Sequence, residues 1–255
     1  MLKTLQCSVT PFTGGIRQGQ VIFLHDSDSD GRKFQTTIDK TYKTAKKFQF
    51  SQLDVIYPTA PSRPFTKLDG VPAHMWFDHH VLDYEMQEPT DQIEESVMMI
   101  SDLIDEQKRT KNIYPDRTIV AGYGIGGIVA LHLGLRFRKE LGAIMPISTF
   151  LPRNSGVYKD IDSKPIKSYP PIWWFHGVWD PVVRFEWAME SYMRLLARNA
   201  DITFNKYHWM RHEITPGPLV EIYHIMNEYN QTWGPLPERR WEPSKSWINE
   251  GPDRH

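Results

Sequence analysis

Apolar residues along this chain fall into two alternating rhythms. Short continuous apolar runs stand at 20–24 (QVIFL), 53–57, 118–122 (TIVAG), 141–148, 171–177 and 202–208. Runs of this length, rich in β-branched residues and closed by Gly, Pro or Asp, suit strands buried on both faces. Pro58 stops the second of them. Between the runs the spacing changes to the helical period. Residues 33–47 are polar with scattered apolar positions and predict a surface helix. From Asp91, residues Ile93, Val97, Ile100 and Ile104 share one helical face, and Asp91 with Glu94 three residues on has the form of a capping box. An apolar helix is expected from about 127 to 137, and a closing one over 219–229, with Leu219, Ile222, Ile225 and Met226 on one side.

Strands that alternate with helices predict an α/β fold with a mostly parallel central sheet and helices on both faces, because parallel neighbours need crossover connections. One domain over 1–231 is expected, followed by an irregular Pro- and Trp-rich tail over 232–255. That tail carries Trp233, Trp241 and Trp247. It suits folding back over the domain's own apolar surface better than docking on a partner.

Composition narrows the function classes. The chain has 255 residues, 40% of them hydrophobic, and a formal net charge of -1 with acids and bases intermixed, so nucleic acid is not an expected partner. A single cysteine, Cys7, excludes an internal disulfide, and a start without a long apolar leader fits a cytoplasmic address. No run approaches the roughly 18 apolar residues that span a bilayer.

The strand at 118–122 runs into Gly122, Tyr123, Gly124, Ile125 and Gly126, directly before a helix. Strand, glycine-rich turn and helix in the order G-x-S-x-G form a nucleophile elbow. Here the central position is Gly124, and no serine or cysteine stands within the turn. By itself such a cluster equally suits a plain tight turn or a phosphate-cradling loop. Asp180 and His212 each follow a later strand, in the nucleophile–acid–histidine order of such hydrolases, although either alone suits a turn or a surface position.

Seven segments together resemble the acyl-protein thioesterase and lysophospholipase-like branch of the α/β-hydrolases. They are VIFLH at 21–25, IYPTAP at 56–61, WFD at 76–78, SDLIDE at 101–106, AGYGIGG at 121–127, FHGVWDPVV at 175–183 and RHE at 211–213. The resemblance covers about 20–229. It implies a serine hydrolase scaffold for acyl esters or thioesters, with Asp180 as triad acid, His212 as triad base and the serine position at Gly124. It also implies an oxyanion hole built from the amides of Ser27 and Ile125. The family's glycine-containing loop there is replaced by His25, Asp26, Ser27, Asp28, Ser29 and Asp30. A carboxylate about 4 Å from a developing oxyanion opposes it by roughly 1 to 4 kcal/mol.

Losing a triad serine costs about a million-fold, which would take an ordinary enzyme at about 10 turnovers per second to roughly one per day. A damaged oxyanion hole costs about another hundred- to thousand-fold. The expected function is therefore a catalytically impaired hydrolase that binds an acyl or lipid ligand or an acylated protein, with no cofactor. The room that Gly124 leaves at the pocket floor would favour such a ligand. The alternative is an active or residual thioesterase or carboxylesterase in which His212, oriented by Asp180, activates water. A purely scaffolding role through the tail is a third reading. Asp26, Asp28, Asp30 and Gly31 also match the first half of a calcium loop, but Thr37 replaces the closing glutamate, so a solvated acidic loop is the better expectation. His79 and His80 are expected at the surface rather than on a metal.

Overall fold

The computed structural model describes residues 5–27, 29–42, 47–163 and 169–233. Their strands are β1 (Cys7–Thr10), β2 (Gly19–Leu24), β3 (Leu53–Pro58), β4 (Ser62–Phe65), β5 (Val71–His74), β6 (Thr118–Tyr123), β7 (Ala143–Ile147), β8 (Ile172–Gly177) and β9 (Ile202–Tyr207). The helices are α1 (Gly31–Thr41), α2 (Thr90–Lys111), α3 (Ile125–His132), α4 (Gly156–Ser163), α5 (Phe185–Leu196) and α6 (Pro216–Gln231).

Seven strands make one sheet in the order β1-β3-β2-β6-β7-β8-β9, and β4 pairs with β5 in a separate hairpin. All pairs in the large sheet are parallel except β1 with β3. Alternation of side chains across the pleat divides the core into two layers. Ile22, Leu24, Val120 and Ile144 face one layer, and Val21, Phe23, Ile119, Ala121 and Met145 face the other. All eight residues of α3 are buried, which explains why its sequence is apolar all round.

The expected strands and long helices are present, with shifted ends. At α2 the capping box does not form. Pro89 is the N-cap, its carbonyl accepts from the amides of Gln92 and Ile93 at 3.0 Å, and Asp91 sits inside the first turn. There its charge still complements the helix dipole. Helix α3 starts at Ile125, and Leu133–Phe137 continue it as a wider π-type turn. β1, the β4–β5 hairpin, α4 and α5 had no counterpart in the sequence reading.

The connectivity places the candidate residues. Strand order reverses around β2, whose neighbours are β3 on one side and β6 on the other. In open α/β sheets ligands bind beyond the carboxyl ends of the strands at such a switch point. Leu24 of β2 is in register with Gly122 of β6, so the chain two residues further on brings Asp26 beside Gly124. Asp180 follows β8 and His212 follows β9, two carboxyl ends further along the same edge, beyond β7.

Candidate active site

Gly124 has φ 55° and ψ -120°, a positive-φ conformation that L side chains rarely adopt, and it is the N-cap of α3. Its amide donates to Ile147 O at 3.0 Å, and its carbonyl accepts from Gly127 N at 3.0 Å, so the turn is tied to the neighbouring strand and to the helix. Gly126 permits a close approach: a Cβ there would lie 2.6 Å from His25 O and 2.7 Å from Leu24 O. That approach presses the start of α3 against the loop after β2.

The loop is held from behind. Ala60 N–H donates to His25 Nε2 at 3.0 Å, which leaves the ring proton on Nδ1 to bond Asp26 O at 2.6 Å. Trp76 Nε1 donates to His25 O at 2.9 Å. His25 is fully buried, and burial lowers its pKa, in keeping with a neutral ring.

So anchored, Asp26 turns its carboxylate into the elbow. A Cβ added to Gly124 would overlap Asp26 Cγ and both carboxylate oxygens. Asp26 Oδ1 accepts from Ile125 N at 2.8 Å, and the Ser27 amide also hydrogen-bonds this carboxylate. The two amides expected to form an oxyanion hole are thus occupied by a side chain of the protein itself. Asp26 Oδ2 lies 3.1 Å from His212 Nε2.

His212 Nδ1 lies 2.8 Å from Asp180 Oδ2. The other Asp180 oxygen accepts from the amides of Val182 and Val183, both at 2.9 Å, which fixes the carboxylate in its turn. With a carboxylate at each nitrogen, both ring nitrogens donate and the ring is an imidazolium. Burial opposes that charge, but the hydrogen bonds and charges of Asp180 and Asp26 outweigh it and push the His212 pKa up to about 9. Burial likewise pushes Asp26 up, and His212 with the Ile125 and Ser27 amides overcomes it, holding the carboxyl below its usual range. Tyr123 stacks on His212 with centroids 5.0 Å apart. Its phenol is pushed up by burial and by Asp26, Asp180 and Glu213.

The structure therefore brings together Gly124, Ile125, Asp26, Ser27, Asp180 and His212, and corrects three expectations. Gly124 leaves no room at the pocket floor, because Asp26 fills the space its side chain would take. Two aspartates of the acidic loop are not simply solvated: Asp26 is committed to the elbow, and Asp30 caps α1 by accepting from Lys33 N at 2.8 Å. Asp28 lies outside the described residues, and among those described no group of three or more His, Cys, Asp or Glu could hold a metal ion. His80 is exposed as expected, but His79 is only 8% exposed, packed on Phe65 and Phe77. The reading along the sequence missed the Tyr123 stack and the His25–Ala60–Trp76 anchor. Neither leaves a spacing signal, because each is set by contacts between distant segments.

Comparison with known proteins agrees with the fold. The family model described as Phospholipase/Carboxylesterase matches residues 12–230. Lysophospholipase-like protein 1 of Mus musculus is 30% identical over 217 residues, covering 85% of this chain and 88% of its own length. Acyl-protein thioesterase 1 of Gibberella zeae is 26% identical over 207 residues, covering 79% and 86%. Among solved structures, acyl-protein thioesterase 2 of Zea mays superposes with a TM-score of 0.74 over 88% of this chain and 99% of that one, at 21% identity, a likeness of fold. With its parallel sheet, its glycine elbow and its Asp180–His212 pair at the strand ends, the chain belongs to the phospholipase/carboxylesterase family.

Proposed function

We propose that this chain is a catalytically impaired member of its family, a cytoplasmic protein that recognises an acyl or lipid ligand, or an acylated protein, without cleaving it. Gly124 is its vacant nucleophile position, and Asp180 and His212 are the remainder of a triad. The observation that carries this reading is the Asp26 carboxylate in the volume of the missing side chain, hydrogen-bonded to the Ile125 amide. Acyl transfer needs a nucleophile and free donors for the developing oxyanion, and this centre offers neither to an incoming carbonyl. The Mus musculus and Gibberella zeae relatives, by their names, point to lysophospholipids and acylated proteins as the ligand class.

Hydrolysis of short- and long-chain thioesters and esters by the purified protein tests this. The native protein is expected to be inert. Gly124→Ser alone is expected to gain little, because Asp26 must swing aside to admit the new Cβ and still competes for the Ile125 and Ser27 amides. Asp26→Gly combined with Gly124→Ser restores both the space and the amides, and turnover is expected there. Robust turnover by the native protein would sink the proposal.

A second reading, slow hydrolysis with His212 activating water, draws on the intact His212–Asp180 bond of 2.8 Å. Against it, a general base must be unprotonated, and with a pKa of about 9 only about one molecule in a hundred qualifies at pH 7. Activity of this kind would climb with pH towards 9 and vanish in His212→Ala.

A further inference from the structure

The loops that carry Asp180 and His212 also carry an aromatic pair that the candidate site does not use. Trp179, directly before Asp180, is 58% exposed. Trp209, three residues before His212, is 75% exposed, more than any other large apolar side chain among the described residues. The two indoles meet edge to face with centroids 4.5 Å apart, and exposed Val182 stands in the same loop as Trp179. Apolar residues scattered singly over a surface are ordinary, whereas two indoles in contact, brought from separate loops, form a patch. We propose that Trp179, Trp209 and Val182 seat this face of the protein on the headgroup layer of an anionic phospholipid bilayer, with Arg184, Lys206 and Arg211 meeting the lipid phosphates.

The rings stand on loops that are held in place. Val178 N–H donates to Tyr207 O at 2.9 Å and ties the loop after β8 to the end of β9. Asp180 accepts from the Val182 and Val183 amides and closes the first loop on itself, while Met210 N–H donates to Tyr207 O at 3.4 Å within the second. Val183, next to Val182, and Met210, next to Trp209, are buried and anchor the two loops in the core. Little conformational freedom is therefore left to lose when the indoles are covered.

Charge, side-chain type and position favour a bilayer as the occupant. Over 178–184 and 206–215 the exposed cations are Arg184, Lys206 and Arg211, and the exposed carboxylate is Glu213. Glu186 of α5 lies 3.5 Å from Arg184, at an exposed site where such a pair is weak and readily exchanged for a lipid phosphate. An indole has an apolar body and a polar N–H, which suits the boundary between acyl chains and headgroups, where Trp is enriched in membrane proteins. Both rings border the strand ends at which the acyl or lipid ligand is proposed to be held. Contact with the bilayer does not depend on that reading; only its consequence, ligand entry straight from the bilayer, rests on it.

Co-sedimentation of the native protein with vesicles of phosphatidylcholine and phosphatidylserine, in a ratio of about 7 to 3, tests the proposal. The native protein is expected to bind, and to bind vesicles of phosphatidylcholine alone about tenfold more weakly, as befits the loss of attraction between a few cations and an anionic surface. Trp179→Ala and Trp209→Ala are each expected to lower partitioning by about tenfold, the effect of uncovering roughly 55 Å² of apolar surface. Ile16→Ala removes another exposed apolar side chain, three residues before β2 at the amino end of the sheet, and is expected to leave binding unchanged. Lipid brominated near the headgroup is expected to quench the indole emission of the native protein. A variant with Trp179→Phe and Trp209→Phe, conservative in shape, is expected to lose that quenching at an unchanged urea midpoint, while its remaining tryptophans still emit. Failure of the native protein to bind the anionic vesicles overturns the inference, as does binding that survives both alanine substitutions. A native dimer that Trp209→Ala splits, without vesicle binding, assigns the pair to an interface between copies of this chain and overturns it as well. Hydrolysis of a soluble short-chain thioester, followed in parallel, bears on the earlier reading alone, so the two proposals fail separately.

Discussion

His212 donates from both ring nitrogens, to Asp180 at 2.8 Å and to Asp26 at 3.1 Å, so its protonation is linked to folding. The groups that act on it are Asp180 and Asp26 at its nitrogens, the Tyr123 ring stacked on it and the neighbouring buried His176. Its pKa is about 9 in the fold against 6.5 ordinarily, a raised value. The stability it contributes, on the order of 3 kcal/mol, is fully present below the unfolded value and is lost as pH rises through the folded one. Asp26, with a depressed pKa, contributes in the opposite sense, and its share is lost as pH falls. Urea denaturation is therefore expected to show stability declining between about pH 7 and pH 10, with Asp26→Asn flattening the decline. Unchanged curves for the two proteins would contradict the ion triad. Gly124, Asp180 and His212 were legible as a row of residues in order after strands. The place taken by Asp26 was not, since it depends on the register of Leu24 against Gly122 across two strands distant in sequence.

Long apolar runs and the long helix α2 were readable, and shorter elements with a mixed pattern were not. Helix α5 buries Ala188, Ser191 and Leu195 at helical spacing, but two of those three positions are small or polar while Met193 and Leu196 of the same helix stay exposed, so the buried face is not the one its large apolar residues mark. β1 buries only Thr10, and β4 and β5 each contain a proline and are largely exposed. Such elements owe their form to the pairing partner rather than to their own pattern. The turn between β6 and α3 is where local sequence and tertiary packing meet most tightly. Gly126→Ala would set a methyl 2.6 Å from His25 O, a backbone atom that cannot rotate away. It is expected to cost about 1 to 3 kcal/mol, read as a lower urea midpoint at unchanged slope. A neutral result would mean that the elbow has slack the geometry does not show.

At the scale of the whole molecule, Trp233, the last of the described residues, packs on the domain. Trp233 is 8% exposed and belongs to the core layer beneath α6. Its ring meets Tyr229 edge-on at 5.6 Å and the Arg117 guanidinium at 5.9 Å, and its carbonyl accepts from Arg117 Nη1 at 2.8 Å. Trp241 and Trp247 lie outside the described residues. Trp233→Ala is expected to lose about 3 to 5 kcal/mol of unfolding free energy, and a loss under about 1 kcal/mol would argue that the tail begins earlier. The interlock of two distant loops over one small volume also ties two positions together: a side chain at 124 and the Asp26 carboxylate cannot both stand in the same place, so a substitution at either position is felt at the other, although nearly a hundred residues of chain separate them.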